Sequence, residues 1–107
     1  MKDKERQIIN YYGVIPQLKY MQTEMFEFID AVLTYENQVP YCDRILDKNL
    51  INYLKKHIEE EYADLTMMLE QFKEYYHLNE EHIQKIKDYK IERQLERIKN
   101  ATTIENL

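Results

Sequence analysis

The chain is poor in residues that interrupt helices and in residues that form cross-links. Its 107 residues include one glycine and two prolines, so long uninterrupted helices are expected. The lone Cys42 excludes an intrachain disulfide and a cysteine-based zinc site. No stretch approaches the roughly 20 apolar residues of a membrane-spanning helix, and the first residues lack the apolar core of a signal peptide. We therefore expect a cytoplasmic protein without a membrane segment.

Positive charge is also in short supply. Fifteen Lys and Arg residues face twenty Asp and Glu residues, which leaves a net charge of −5. A protein that binds nucleic acid usually needs a basic face to neutralise several phosphates, so nucleic acid is not an expected partner. Tyrosine is abundant, with ten copies, and its amphipathic ring suits subunit contacts. We therefore expect a homodimer or homotetramer.

Apolar residues spaced by three and four predict an all-α protein. We expect one domain over residues 1–107, with residues 101–107 as a frayed tail. The predicted helices cover residues 2–11, 16–35, 48–76 and 80–100. A loop containing Pro40 separates the second helix from the third.

The second helix has two contrasting faces. One is an apolar stripe expected to face a partner helix, formed by Leu18, Met21, Met25, Phe28 and Val32. The other is polar and acidic, as in the wall of a cleft, and is formed by Gln17, Tyr20, Glu24, Glu27 and Ala31. Residues three apart lie on one side of a helix, so Glu24 and Glu27 can direct two carboxylates at one point.

The third helix places an acid inside an apolar seam. Continuing its spacing through Leu54 and Ile58 puts Glu61 where an apolar residue belongs, and Asp64 follows one turn later. An unpaired charge there would cost several kcal/mol to desolvate. Glu61 therefore either pairs with a base or joins a metal site. Lys19 and Lys56 are the candidate bases.

If the second and third helices pack antiparallel, Glu24, Glu27, Glu61 and Asp64 meet. Four oxygen ligands favour Mg²⁺, Mn²⁺ or Ca²⁺ over zinc. One alternative is that these acids are solvated surface residues in ordinary helix ion pairs. Another is a di-iron bundle, but this needs two Glu-x-x-His motifs, and the chain offers only Glu74 with His77.

The acid pairs and their surroundings resemble the all-α nucleoside triphosphate pyrophosphohydrolases of the MazG-like group. That family pattern is Glu-Glu-x-x-Glu, a spacer, and Glu-x-x-Asp. The resemblance also includes Tyr12-Gly13 with Gln17 before the first motif, the segment 60–72 around the second, and the closing segment 89–98. Thr23 stands where the pattern has its first Glu.

The resemblance implies a four-helix, bundle-like fold that assembles as an oligomer. It also implies magnesium-dependent hydrolysis of nucleoside triphosphates to monophosphate and pyrophosphate. Glu24, Glu27, Glu61 and Asp64 would hold the metal, and Glu27 or Glu60 would act as general base.

Positive side chains and base-reading groups complete the expected site. Lys87, Lys90 and Arg97 share a face of the fourth helix, with Arg93 nearby. They are expected either to bind phosphates or to pair with neighbouring acids. Gln17 and Tyr20 are expected to contact the base, and no Gly-rich phosphate loop exists. The alternative function is a helical interaction protein that has lost turnover, which Thr23 favours.

Overall fold

The computed structural model describes residues 2–105 and confirms the all-α prediction. No strand occurs in that range. The elements are α1 (Lys2–Tyr12), α2 (Val14–Gln38), a short 3-10 helix (Val39–Tyr41), α3 (Lys48–Tyr75) and α4 (Glu80–Glu105).

Gly13 separates α1 from α2 because of its backbone conformation. Its φ of 90° and ψ of 157° lie in a region that is essentially restricted to glycine. The Gly13 amide still donates to the Ile9 carbonyl at 2.8 Å. The chain therefore ends one helix and starts the next with a single intervening residue.

The connection between α2 and α3 is stabilised by the carboxylates of Asp43 and Asp47, and Asp47 Oδ2 accepts a hydrogen bond from the Asp43 amide at 2.9 Å. Asp43 Oδ1 accepts hydrogen bonds from the amides of Ile45 and Leu46, each at 2.8 Å. These two bonds hold the pKa of Asp43 below its ordinary value. The loop thus returns the chain in a compact turn, and α3 begins at Lys48.

Helices α2 and α3 are antiparallel, because residues later in α2 contact residues earlier in α3. The Gln17 side chain hydrogen-bonds to that of Gln71, and the centres of the Phe28 and Tyr62 rings lie 6.1 Å apart. Helix α1 packs against α3 as well. Among the described residues, the buried side chains comprise four apolar and four polar ones: Ile9, Ala31, Leu54, Met68, Gln17, Glu24, Gln71 and Glu74. So large a polar share points to a site within the packed helices.

Helix α2 buries the polar face and exposes much of the apolar one. Gln17, Glu24 and Ala31 are buried. Two members of the predicted apolar stripe, Leu18 and Met25, are not covered by α1 or α3 and are 39% and 44% exposed. The physical reason is that α1 and α3 pack on the side of α2 that carries Gln17 and Ala31. That Leu18 and Met25 face a helix of a partner stays a prediction.

Residues 2–76 form one compact unit, and residues 77–105 form a second. In the second unit, Asn79 Oδ1 accepts the His82 amide hydrogen bond at 2.9 Å and caps α4. Helix α4 continues to Glu105, over residues expected to form a frayed tail; residues 106 and 107 lie outside the described range. Over the described residues, no helix combines the length and apolar character needed to cross a membrane.

Candidate metal centre

Three carboxylates from two helices converge in the first unit. Glu24 and Glu27 of α2 and Glu61 of α3 each offer an oxygen, and these oxygens lie within 4.8 Å of one another. The i, i+3 spacing on α2 and the antiparallel pairing with α3 produce this cluster. We call Glu24, Glu27 and Glu61 the acid cluster.

Two oxygens of the acid cluster are buried without a hydrogen-bond partner. They are Glu24 Oε2 and Glu61 Oε2. Glu24 is 4% exposed, and the Glu61 side chain is 13% exposed. A buried carboxylate oxygen without a donor is costly, and two such oxygens beside a third carboxylate suit a hard divalent cation.

Burial raises the pKa of Glu24 above its ordinary value. A hydrogen bond from the Tyr20 hydroxyl opposes this rise, while the negative charges of Glu27 and Asp64 add to it. The same hydrogen bond, followed by the charge of Glu24, raises the pKa of Tyr20. The local field is therefore negative, and it favours a cation between the acids.

Basic side chains of the described residues do not neutralise the acid cluster. Neither Lys19 nor Lys56 forms an ion pair with it. The nearest basic group is His57, whose Nδ1 lies 4.0 Å from Glu61 Oε1. That separation is too long for a hydrogen bond, and it involves Oε1 of Glu61, whereas the oxygen without a partner is Oε2.

The remaining predicted residues take different positions. Asp64 lies close enough to Glu24 to affect its pKa but outside the group of three that converge, so its role as a ligand stays a prediction. Glu60 is exposed and lies outside the acid cluster. Gln17 is buried and Tyr20 is half exposed; both line a cavity on the same face of α2.

The basic residues of α4 belong to the second unit. Lys87, Lys90, Arg93 and Arg97 are exposed, and the Arg93 guanidinium lies 5.7 Å from the centre of the Tyr89 ring. Their role in binding phosphate stays a prediction.

A second acidic group, Glu5, Glu70 and Glu74, differs from the acid cluster because bases accompany it. Arg6 lies 3.7 Å from Glu74, and Lys73 lies 2.9 Å from Glu70. The Arg6–Glu74 pair joins α1 to the last turns of α3, whereas the Lys73–Glu70 pair lies within α3. The first pair also commits Glu74, the acid of the di-iron alternative, to an ion pair.

Sequence reasoning missed Gln71. It is 1% exposed, and its Oε1 accepts a hydrogen bond from Gln17 Nε2 at 2.7 Å. The signal was present, because Gln71 lies three residues after Met68 on the buried side of α3.

Comparisons of the chain with protein families, with curated proteins and with solved structures find no match.

Proposed function

We propose that this chain is a magnesium-dependent nucleoside triphosphate pyrophosphohydrolase of the MazG-like type, with Mn²⁺ as an alternative metal. The acid cluster is the observation that carries the proposal. Three carboxylates have oxygens within 4.8 Å of one another, and two of these carboxylates have a buried oxygen without a hydrogen-bond partner. This arrangement destabilises the metal-free protein, whereas a bound cation would make it favourable. Hydrolysis of phosphoric anhydrides is the chemistry for which such oxygen-ligated metals are typically used.

Glu24 and Glu61 would hold the metal from opposite helices, with Glu27 and Asp64 beside them. A bound Mg²⁺ would neutralise phosphate oxygens and withdraw charge from the phosphorus under attack. Glu27 is exposed and belongs to the acid cluster, so its carboxylate can receive the proton of an attacking water. The water oxygen bonds to phosphorus, the bond between the α- and β-phosphates breaks, and pyrophosphate leaves.

Self-association forms part of the proposal. Ile15, Phe26 and Leu33 of α2 are 61%, 72% and 54% exposed. At about 100° per residue, they lie on one side of the helix together with Leu18, Met25 and Ile29. This exposed apolar side of α2, which we call the α2 stripe, is larger than scattered surface residues would explain. A second copy of the chain would cover it.

The alternative is a non-catalytic helical interaction protein with the same fold. Thr23, in the position of the first Glu of the family pattern, is exposed and does not belong to the acid cluster. The α2 stripe would then bind a partner protein, and the acid cluster would hold a structural cation.

Pyrophosphate release from a panel of ribo- and deoxyribonucleoside triphosphates, with Mg²⁺ or with EDTA, tests the enzyme. We expect metal-dependent release, and a drop in kcat on the order of 100-fold or more for Glu61→Gln because a metal ligand loses its charge. Circular dichroism should show unchanged helix content.

Glu59→Gln is the matched control, because Glu59 is an exposed residue of the same helix and undergoes the same chemical change. Its turnover should equal that of the wild type. If no nucleotide yields pyrophosphate with either metal, the enzyme proposal fails and the interaction protein is favoured.

A further inference from the structure

A cavity of about 460 Å³ lies in the first unit, on the side of the acid cluster that faces α1. Its walls include Ile8 and Tyr12 of α1, Tyr20 of α2 and Met67 of α3. The volume falls in the range typical of small-ligand sites, and mostly apolar walls with a few polar groups are their usual composition.

Gln17 and Gln71 supply the polar groups of this cavity. Gln17 is 7% exposed and Gln71 is 1% exposed, and the Gln17 Nε2 group donates to Gln71 Oε1 at 2.7 Å. Burying two amides costs free energy that apolar side chains would not. Their presence therefore needs a reason beyond packing.

The amide pair has unused hydrogen-bonding capacity. Gln71 Nε2 donates only to the Met68 sulfur, at 3.7 Å, and a thioether is a weak acceptor. Over residues 2–105, the Gln17 side-chain oxygen accepts no hydrogen bond. One donor and one acceptor are thus left beside each other in a largely apolar cavity.

A ligand that matches this pair has an acceptor next to a donor on one edge. The pairing edge of a nucleobase has this arrangement. The rings of Tyr12 and Tyr20, which are 58% and 53% exposed, and the thioether of Met67 are suited to contact the faces of a flat heterocycle.

The cavity and the acid cluster are neighbours along the same pair of helices. Gln17 precedes Glu24 by two turns of α2, about 10 Å along the axis, and Tyr20 lies between them and hydrogen-bonds to Glu24. On α3, Met68 follows Glu61 by about two turns and Gln71 follows it by almost three. A nucleotide with its base in the cavity extends its phosphates toward the acid cluster.

We propose that the cavity is the base subsite and that Gln17 and Gln71 together read the donor–acceptor edge of the base. This inference rests on the proposed function. It assigns to the site a substrate class, nucleotides with an unmodified pairing edge, and it identifies Gln71 as a specificity-determining residue.

The test compares each nucleotide with an analogue whose pairing edge carries a methyl group on the donor. UTP is compared with 3-methyl-UTP, and GTP with 1-methyl-GTP, by kcat/KM in Mg²⁺. For the nucleotide that the wild type hydrolyses best, we expect methylation to lower kcat/KM by at least about tenfold, because the Gln17 oxygen loses its donor. This comparison needs no mutation.

The Gln17→Met/Gln71→Met double variant should lose this discrimination, leaving the methylated and unmethylated nucleotides within about twofold of each other. Replacing both amides avoids an orphaned buried group, so the helix content should be retained. Gln7→Met, at an exposed position of α1 that does not line the cavity, is the matched control and should discriminate like the wild type.

The possible failures are distinguishable. Hydrolysis of nucleotides without sensitivity to methylation would overturn the base subsite and leave the proposed function standing. Hydrolysis of neither UTP nor GTP, nor of any other triphosphate, would overturn the proposed function and this inference with it. Discrimination that persists in the double variant would show that other residues read the base.

Discussion

Glu24 is the residue in which the conflict between folding and function is most direct. Its carboxylate is 4% exposed, and one of its oxygens has no hydrogen-bond partner. Burial raises its pKa, which means that the fold disfavours the charged form. A metal ligand, however, must be charged. The free energy of unfolding of the metal-free protein should therefore increase when this charge is removed.

We expect Glu24→Gln to stabilise the metal-free protein at pH 7 by about 1 kcal/mol, measured by urea unfolding in EDTA. The gain should depend on pH with a defined sign. Because the folded protein binds the Glu24 proton more tightly, wild-type stability falls as pH rises from 4.5 through the raised pKa. The advantage of the variant should therefore grow over that window and shrink below it.

In the presence of Mg²⁺, we expect the wild type to be more stable than Glu24→Gln, the reverse of their order in EDTA. Binding to the folded state alone stabilises the wild type, whereas Glu24→Gln should show a smaller gain. If Glu24→Gln and the wild type had equal free energies of unfolding in EDTA at both pH 4 and pH 7, this would contradict the view that Glu24 is a buried, unpaired charge.

At the level of elements, the junction of α1 and α2 depends on a single glycine. A Cβ at Gly13 would meet Pro16 Cδ at 3.6 Å, which is an ordinary contact. The obstacle to substitution is therefore the backbone, whose φ of 90° disfavours any L side chain.

Gly13→Ala should lower the free energy of unfolding by about 1–3 kcal/mol, measured by chemical or thermal unfolding. Gln7→Ala, at an exposed position of α1, is the control and should change stability by no more than about 0.5 kcal/mol. A neutral Gly13→Ala would mean that α1 and α2 can join through another backbone conformation.

For the whole molecule, the ratio of buried to exposed apolar residues is the notable property. Among the described residues, four apolar side chains are buried, whereas the α2 stripe is exposed. A chain with so small a core gains stability from covering such a surface with a second copy. The acidic balance of the chain does not oppose this contact, because the α2 stripe itself consists of uncharged side chains.

We expect light scattering to show an oligomer, and Phe26→Glu to shift it toward the monomer because a charge would be buried at the contact. Asn49→Glu adds the same charge at an exposed position of α3 and should leave the oligomer unchanged. A wild-type monomer at all accessible concentrations would contradict self-association.

Sequence reasoning predicted the helices well and their contacts less well. Helices α2 and α3 were expected near the observed bounds, because apolar spacing and the rarity of glycine and proline are local properties. The orientation of α2 was assigned from its apolar residues, and Leu18 and Met25 proved exposed. Hydrophobicity alone cannot distinguish a face that covers a core from one that is left open to a partner.

The amino-acid sequence by itself determined that the chain is helical and that Glu24, Glu27 and Glu61 lie on particular faces, since both depend on neighbours within a few residues. Only the tertiary structure decided which of these acids meet, because antiparallel packing sets the register between α2 and α3. It placed Asp64 outside the converging three and brought Gln71 against Gln17. Residues 54 positions apart meet only after the chain has folded back on itself.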